Sequence, residues 1–303
     1  MDLKGKNVLL IGLAKTGIST IKLLDKLEAK ITVNDIKTEE KLADILEELK
    51  DIKNATYILG YHPEEVDHID LAVVSPGVPL DLPFIQKLYS KNIKVIGEVE
   101  LAYELLSNDG FLVINIDEGE VDNLAKLCKD LFYKVKIYKW EKLHPYFDKN
   151  RNVNPNKKVV KYEYIIICFK SKESKLNNLN QPYLEGDVLK EKEAKVPNIF
   201  KCFGTNSSAK DEIEAIFGDR TYFQTPKPLK LLKELVRATT NKDSTVLDFF
   251  AGSGTTGHAV IDLNKEDGGN RKYILISNSE SNICKDVTLK RIKMFDSNVK
   301  FIN

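Results

Sequence analysis

Paired cysteines, a surplus of either charge and long apolar runs are all missing from this 303-residue sequence. The four cysteines, at 128, 168, 202 and 284, form no CxxC pair and have only four histidines to join them. That argues against structural zinc and a disulfide framework, so no metal is expected and the thiols read as reduced. Lys+Arg 46 against Asp+Glu 45 leaves a formal charge of +1, too little for a global field that attracts nucleic acid. Any DNA face must be local. No apolar run approaches membrane-spanning length, and Met1–Lys6 lead directly into an apolar strand, so no membrane segment or signal peptide is expected and a cytoplasmic protein is. What remains is 42% hydrophobic and 30% charged, ordinary for a folded chain whose length predicts two domains.

The most informative stretch is Ser244–Thr256, STVLDFFAGSGTT. An apolar run ends at Asp248 and a turn of small residues, Ala251-Gly-Ser-Gly254, leads into a helical pattern. Glycines at 252 and 254 let backbone N–H groups approach a ligand, and Asp248 stands at the strand's end. No Lys-Ser/Thr follows, so it is not a phosphate loop, and its spacing is wrong for a dinucleotide fingerprint. An adenosine-bearing cofactor suits it; a ligand-free strand–helix corner is the alternative. Its flanks are more specific. FGTNSSAKDEIEAIFGD from Phe203, TPKPLKLLKELVRATTNKDSTVLDFFAGSGTTGHAV from Thr225 and LNKEDGGNRKYILI from Leu263 resemble the C-terminal half of β-class adenine-N6 DNA methyltransferases. Within that class the stretches resemble the modification subunits of type III restriction systems. The resemblance implies S-adenosylmethionine as cofactor, held by Asp248, Phe249, Ala251, Gly252, Ser253, Gly254 and Thr255. It adds Lys227 and Pro228 beside the cofactor and Glu280 for the ribose hydroxyls.

At the front, Asn7-Val-Leu-Leu-Ile11 is a run suited to a parallel strand buried on both faces, and Gly12–Gly17 turn into a helical pattern. A second strand ends at Asp35; further strands are expected at 55–59, 71–74 and 94–96, with helices at 37–49 and 82–91. This is a Rossmann-like domain over 1–105. Gly12, Gly17 and Asp35 imitate a dinucleotide site, but Ala14 replaces the middle glycine, which makes NAD the lesser reading. NVLLIGLAKTGIST, VND at 33–35, VVSPGVP at 73–79 and VIGEVELAYEL at 95–105 resemble the N-terminal domain of the Mur ligases that add D-glutamate to UDP-N-acetylmuramoyl-L-alanine. The resemblance implies a UDP-muramoyl nucleotide site. Leu13, Ala14, Lys15 and Thr16 would face the diphosphate at a helix N-terminus, Asp35 and Ile36 the uracil, and Ser75, Pro76 and Gly77 would close the pocket. The ATP-binding and third domains of those ligases have no counterpart here; Gly204-Thr-Asn206 copies three letters of their phosphate loop by coincidence.

The rest, 106–303, resembles part of a DNA methyltransferase. LLSNDGFLVINIDEGEVDNLAKLCKDLF, through Phe132, resembles what that family places after its catalytic strand; Asp117, Glu118 and Glu120 are expected only to favour the next helix's start. Residues 134–201 read as a polar, irregular recognition segment or connector with one apolar strand, Tyr164–Cys168. Trp140, His144, Tyr146, Tyr162 and Tyr164 interleave there with Lys139, Lys142, Lys149, Arg151, Lys157, Lys158 and Lys161, a composition suited to stacking on bases and pairing with phosphates. A solvated connector would look similar. Residues 203–303 form the cofactor-binding part, ending in a packing helix at 282–292.

The motif that holds the flipped adenine, of DPPY type in the family, is missing. Its position is taken by the Mur-like domain, and the one near miss, Asn180-Gln-Pro-Tyr183, has no expected strand before it. The fold class is therefore α/β, a Rossmann-like domain followed by an incomplete Rossmann-like methyltransferase domain, joined near Glu98–Leu106. The absent strand belongs between the glycine-turn strand and the Phe111 strand, so the second half is expected to pack less well or to close up. The leading expectation is a DNA methyltransferase relative, catalytically incomplete. A UDP-nucleotide-binding ligase domain and a non-catalytic fusion are the alternatives.

Overall fold

The computed structural model describes residues 1–13, 15–75, 77–142, 161–186, 188–277 and 282–301, with no side-chain detail at Lys15 and Thr16. It divides into two compact units, one built on Met1–Leu105 and the other on Leu106–Ser277 with the helices that follow.

In the first unit, strands β1 (Asn7–Ile11), β2 (Lys30–Asp35), β3 (Ala55–Leu59), β4 (Leu71–Val74) and β5 (Lys94–Gly97) make one parallel sheet ordered β3-β2-β1-β4-β5. Successive residues of β1 feed opposite cores, as strand alternation requires. Val8 and Leu10 join Ile21, Leu24 and Val33 beneath helices α1 (Lys15–Lys26) and α2 (Ala43–Leu49). Leu9 and Ile11 pack with Val66, Ile69 and Ile85, the last from helix α3 (Pro83–Ser90). Chain order reverses between β1 and β4, which opens a crevice at the carboxyl ends of the strands. Helix α4 (Glu98–Leu105) returns Leu101 to the first core. The expected helix at 37–49 is split, its first turn being 3-10 over Glu39–Leu42.

The second unit begins with β6 (Phe111–Ile116) and helix α5 (Val121–Leu131). Glu120 stands at the start of α5 without a side-chain cap, and Glu118 instead accepts a 3.2 Å hydrogen bond from the Tyr164 hydroxyl. Where residues of the segment 134–201, expected to be irregular, are described, most of them are strand. β7 (Lys134–Glu141), β8 (Tyr162–Phe169) and β11 (Ile199–Phe200) build a four-stranded sheet with β6, ordered β11-β7-β8-β6, and β9 (Leu179–Glu185) and β10 (Val188–Ala194) form an antiparallel hairpin. The overlooked signal is the alternation at the end of KVKIYKWE, where Tyr138 and Trp140 are buried on one face and Lys139 between them is exposed on the other. The near-miss residues Asn180–Tyr183 lie inside β9, paired with Lys190–Glu193.

Helices α6 (Asn206–Phe217) and α7 (Leu229–Thr239) precede β12 (Thr245–Asp248), α8 (Thr255–Asp267) and β13 (Lys272–Leu275). A π-helical turn, Cys284–Leu289, runs into α9 (Lys290–Phe295). Strands β12 and β13 pair with each other in a separate two-stranded sheet. Among the described residues no strand joins β12 to β6, so the gap between the glycine-turn strand and the Phe111 strand has not closed. Helix α7 serves both sheets. Leu231, Leu235 and Ala238 pack on the four-stranded one, and Val236 on Val246, Val260 and Tyr273.

Candidate cofactor and nucleotide sites

In the second unit the strand–turn–helix at 245–267 is held from several sides. Gly252 and Gly254 adopt φ of 49° and 74°, the left-handed region that a side chain resists. Space excludes side chains too. A Cβ at Gly252 would lie 3.3 Å from the Phe223 ring, and one at Gly254 3.2 Å from Thr288. Asp248 fixes the turn by accepting the Phe250 N–H on Oδ1 (2.9 Å) and the Thr256 hydroxyl on Oδ2 (2.5 Å). Thr288 donates to the Gly252 carbonyl at 2.6 Å. Ala251, Ser253 and Thr255 are buried, whereas Phe250 is 72% exposed beside them.

Behind the turn lies a group of polar side chains that sequence reasoning missed. Arg291 is fully buried; its Nη1 donates to Thr255 Oγ1 at 2.9 Å and its Nε points at His258 Nδ1 at 3.3 Å. Among the described residues its carboxylate partner is Glu212, 3.8 Å away. Burial pulls the Arg291 guanidinium down to about 10 and holds the Glu212 carboxyl above its usual range. Burial, then the Arg291 charge, lower His258 to about 4. A neutral His258 accepting at Nδ1 carries its hydrogen on Nε2, which faces Asp262 at 3.5 Å, and its ring stacks on Phe295. The signal available was an arginine at helical spacing inside the apolar face of 287–295, where a buried charge demands partners.

Lys227 and Pro228 are placed differently from Asp248–Thr255. Lys227 pairs with Glu163 at 2.5 Å and lies over the Trp140 ring, and Pro228 packs so closely on Gly204 that a Cβ there would come within 2.4 Å. Glu163 also binds Lys142 at 2.8 Å; burial raises its carboxyl, but the two lysines outweigh burial and the net shift is downward. The segment touching the glycine turn is instead Tyr222–Phe223, with the Tyr222 hydroxyl on the Asp286 carbonyl. Glu280 lies outside the described residues. Gly204-Thr-Asn206 is a helix start, in which the Thr205 and Ser208 side chains exchange hydrogen bonds with each other's backbone N–H.

Of the aromatic and basic residues expected on a DNA face, Trp140 is fully buried, with its indole N–H on the Gly204 carbonyl, and cannot stack on a base. Lys142 is likewise taken up by Glu163. Tyr162 and Tyr164 share one face of β8, with Lys139 Nζ 5.5 and 5.6 Å from their rings and Lys161 Nζ 5.0 Å from Tyr162. His144, Tyr146, Lys149, Arg151, Lys157 and Lys158 lie outside the described residues.

In the first unit, the strand ends bring Leu13, Asp35, Ile36, Ser75 and Gly77 to one crevice. Asp35 accepts the Leu13 N–H at 2.7 Å and the Lys37 N–H at 2.8 Å, which locks the ends of β1 and β2 together. The Ser75 hydroxyl donates to the Gly12 carbonyl at 2.8 Å. Gly12, at φ 93°, leaves no room for a Cβ, which would meet Val78 at 2.7 Å, and a Cβ at Gly17 would strike the Gly12 carbonyl oxygen at 2.8 Å. Ile36 is 68% exposed and Gly77 has open space around it. Lys15 and Thr16 open helix α1; Ala14 and Pro76 lie outside the described residues.

The sequence profile of a family described as DNA methylase matches residues 88–288, and that of the Mur ligase MurD-like N-terminal domain matches 6–97. The UDP-N-acetylmuramoylalanine–D-glutamate ligase of Clostridioides difficile is 60% identical over 136 residues, 45% of this chain and 30% of the ligase. The Mod subunit of the type III restriction-modification enzyme StyLTI of Salmonella typhimurium is 53% identical over 78 residues, 26% of this chain and 12% of the subunit. The chain thus spans under a third of either relative. Among solved structures, the PvuII cytosine-N4 DNA methyltransferase aligns over 76% of this chain and 82% of its own, at 16% identity and a TM-score of 0.42. With the methylase match covering 201 of 303 residues, from 88 through 288, the chain belongs to the DNA methylase family and carries a MurD-like N-terminal domain in front of it.

Proposed function

We propose that the second unit binds S-adenosylmethionine at Asp248–Thr255, and that this chain does not by itself methylate adenine. The observation that carries the first part is the turn between β12 and α8, with two left-handed glycines and free N–H groups at the start of a 13-residue helix. Phe249 and the exposed Phe250 flank it on the strand side and Glu280 belongs to the ribose end; Lys227 and Pro228 are assigned to the cofactor from the family resemblance alone, since their contacts here are with Glu163, Trp140 and Gly204. The second part rests on the sheet. The place next to β12 where a strand would present the base-holding motif is empty of strand among the described residues, and Asn180–Tyr183 are committed to a hairpin. DNA is the partner of the face carrying Tyr162, Tyr164, Lys139 and Lys161.

A second ligand is favoured by the first unit's crevice. Leu13 through Thr16, Asp35, Ile36 and Ser75 through Gly77 take a UDP-muramoyl nucleotide, without the ATP-dependent ligation that needs further domains. Calorimetry of the full chain against S-adenosylmethionine and UDP-N-acetylmuramoyl-L-alanine tests both sites, and transfer of labelled methyl to duplex DNA tests turnover. Heat with each ligand and no label on adenine is the expected result. Absence of heat with S-adenosylmethionine sinks the first assignment, and methylation by this chain alone sinks the claim of incompleteness.

A further inference from the structure

Tyr162 and Tyr164 are two positions apart on β8, so their rings stand on the same face of the sheet, with Cα atoms about 6.7 Å apart. Both are half-buried, at the end of the sheet where β6 stops opposite Tyr164. One ammonium serves both rings. Lys139, directly opposite Tyr164 on β7, holds its Nζ 5.5 Å from the Tyr162 centroid and 5.6 Å from that of Tyr164. It is exposed and has no carboxylate partner among the described residues. Lys161 also lies over Tyr162, but Glu141 at 3.4 Å offsets its charge. Glu118, which accepts the Tyr164 hydroxyl at 3.2 Å, disfavours an anion at that end and leaves the lysine side for phosphate.

The spacing discriminates between forms of DNA. Along one strand of a duplex the repeat is about 3.4 Å, half the tyrosine spacing, and each base face is covered by its neighbour. An unstacked strand can splay its bases onto separate aromatic rings, and it carries one phosphate between each two of them. We infer that this face binds single-stranded rather than duplex DNA, with two successive bases on Tyr162 and Tyr164 and the phosphate between them on Lys139. The flexible stem of Lys139 lets its ammonium leave the rings for the phosphate as the bases arrive. The inference rests on the reading of this face as the DNA partner's and names the form of DNA it takes.

The test measures fluorescence anisotropy of labelled oligothymidylate on the full chain, alone and annealed to oligoadenylate, over a series of salt concentrations. Tighter binding of the single strand is expected. Tyr162→Leu and Tyr164→Leu should each weaken it by about tenfold, while Tyr162→Phe and Tyr164→Phe keep the ring and the affinity. Lys139→Gln should lower the slope of log affinity against log salt by about 0.7, the share of one phosphate on a single strand. Should a leucine variant unfold, as Trp140 fluorescence reports, the exposed Lys139→Gln decides through that slope. Duplex bound as tightly as the single strand, or weakened as much by the leucine variants, overturns the single-strand assignment and leaves the face a DNA contact. Unchanged single-strand affinity in folded leucine variants overturns the stacking, and an unchanged slope in Lys139→Gln overturns the phosphate contact. Binding of neither form means that the DNA reading itself has failed, and this inference with it.

Discussion

Acidification from pH 7 to pH 5 should weaken the second unit through His258. The folded side chain sits near 4, against an ordinary value near 6.5, because burial and the Arg291 charge oppose its protonation. Between those values the unfolded chain binds the proton and the folded one does not. Stability from this group is therefore complete above the unfolded value and drains away as pH falls toward the folded one. At pH 5 the loss is about 2 kcal/mol, a large fraction of a domain's usual margin. The groups facing the ring are Arg291 and Phe295 from α9, and Asp262 and Lys265 from α8. Asp262 offsets part of the penalty. Glu212, whose carboxyl is held high, runs the other way and favours the folded state as pH drops. Trp140, the sole tryptophan and fully buried, reports unfolding of this unit by fluorescence in urea. The decisive comparison is with His258→Gln, which loses the Phe295 stacking at every pH but has no proton to take up. Its urea midpoint should change far less between pH 7 and pH 5 than that of the unaltered chain. Parallel pH profiles would refute the assignment to His258.

Three further outcomes are expected. Gly254→Ala puts a Cβ at φ 74° and 3.2 Å from Thr288, so the same fluorescence assay should show a loss of about 1–2 kcal/mol, accompanied by lost S-adenosylmethionine binding. Glu163→Leu strands Lys142 and Lys227, both partly exposed, and should cost about 1–2 kcal/mol rather than the larger penalty of a fully buried pair, read from the urea midpoint. Gly12→Ala, with φ 93° and a clash on Val78, should destabilise the first unit by about 2 kcal/mol in far-ultraviolet circular dichroism while leaving the Trp140 transition in place.

The sequence disclosed the parallel sheet of the first unit because its strands are continuous apolar runs and its turns carry glycines that the backbone demands at 12 and 17. It disclosed β12, the turn and α8 for the same reason. It concealed the sheet around β7 and β8. Exposed lysines at 134, 136 and 139 make β7 resemble a solvated segment, and Trp140, a residue type suited to base stacking, is the centre of a core formed with Phe200 and Phe203. Lys142 was misplaced for a related reason: its partner Glu163 is 21 residues away, and composition cannot pair charges across a hairpin of strands. Arg291 was hidden in a stretch that reads as plain packing helix, since a buried arginine differs from an exposed one only through the residues that surround it.

Those hidden residues explain how the turn can keep its shape beside a gap in the sheet. Among the described residues β12 has one strand neighbour, β13, and its residues after Thr245 remain half-exposed. A turn that relied on flanking strands would be poorly fixed there. The turn relies instead on contacts from the chain around and after it: Thr288 on the Gly252 carbonyl, Arg291 on Thr255, Phe223 against Gly252, and the Asp248 carboxylate closing on Phe250 and Thr256. None of these comes from the missing strand. A base-holding motif, by contrast, would stand on that strand's own carboxyl end and has no comparable brace. On the proposed reading, the glycine turn would therefore keep its geometry without the strand that would carry a base-holding motif.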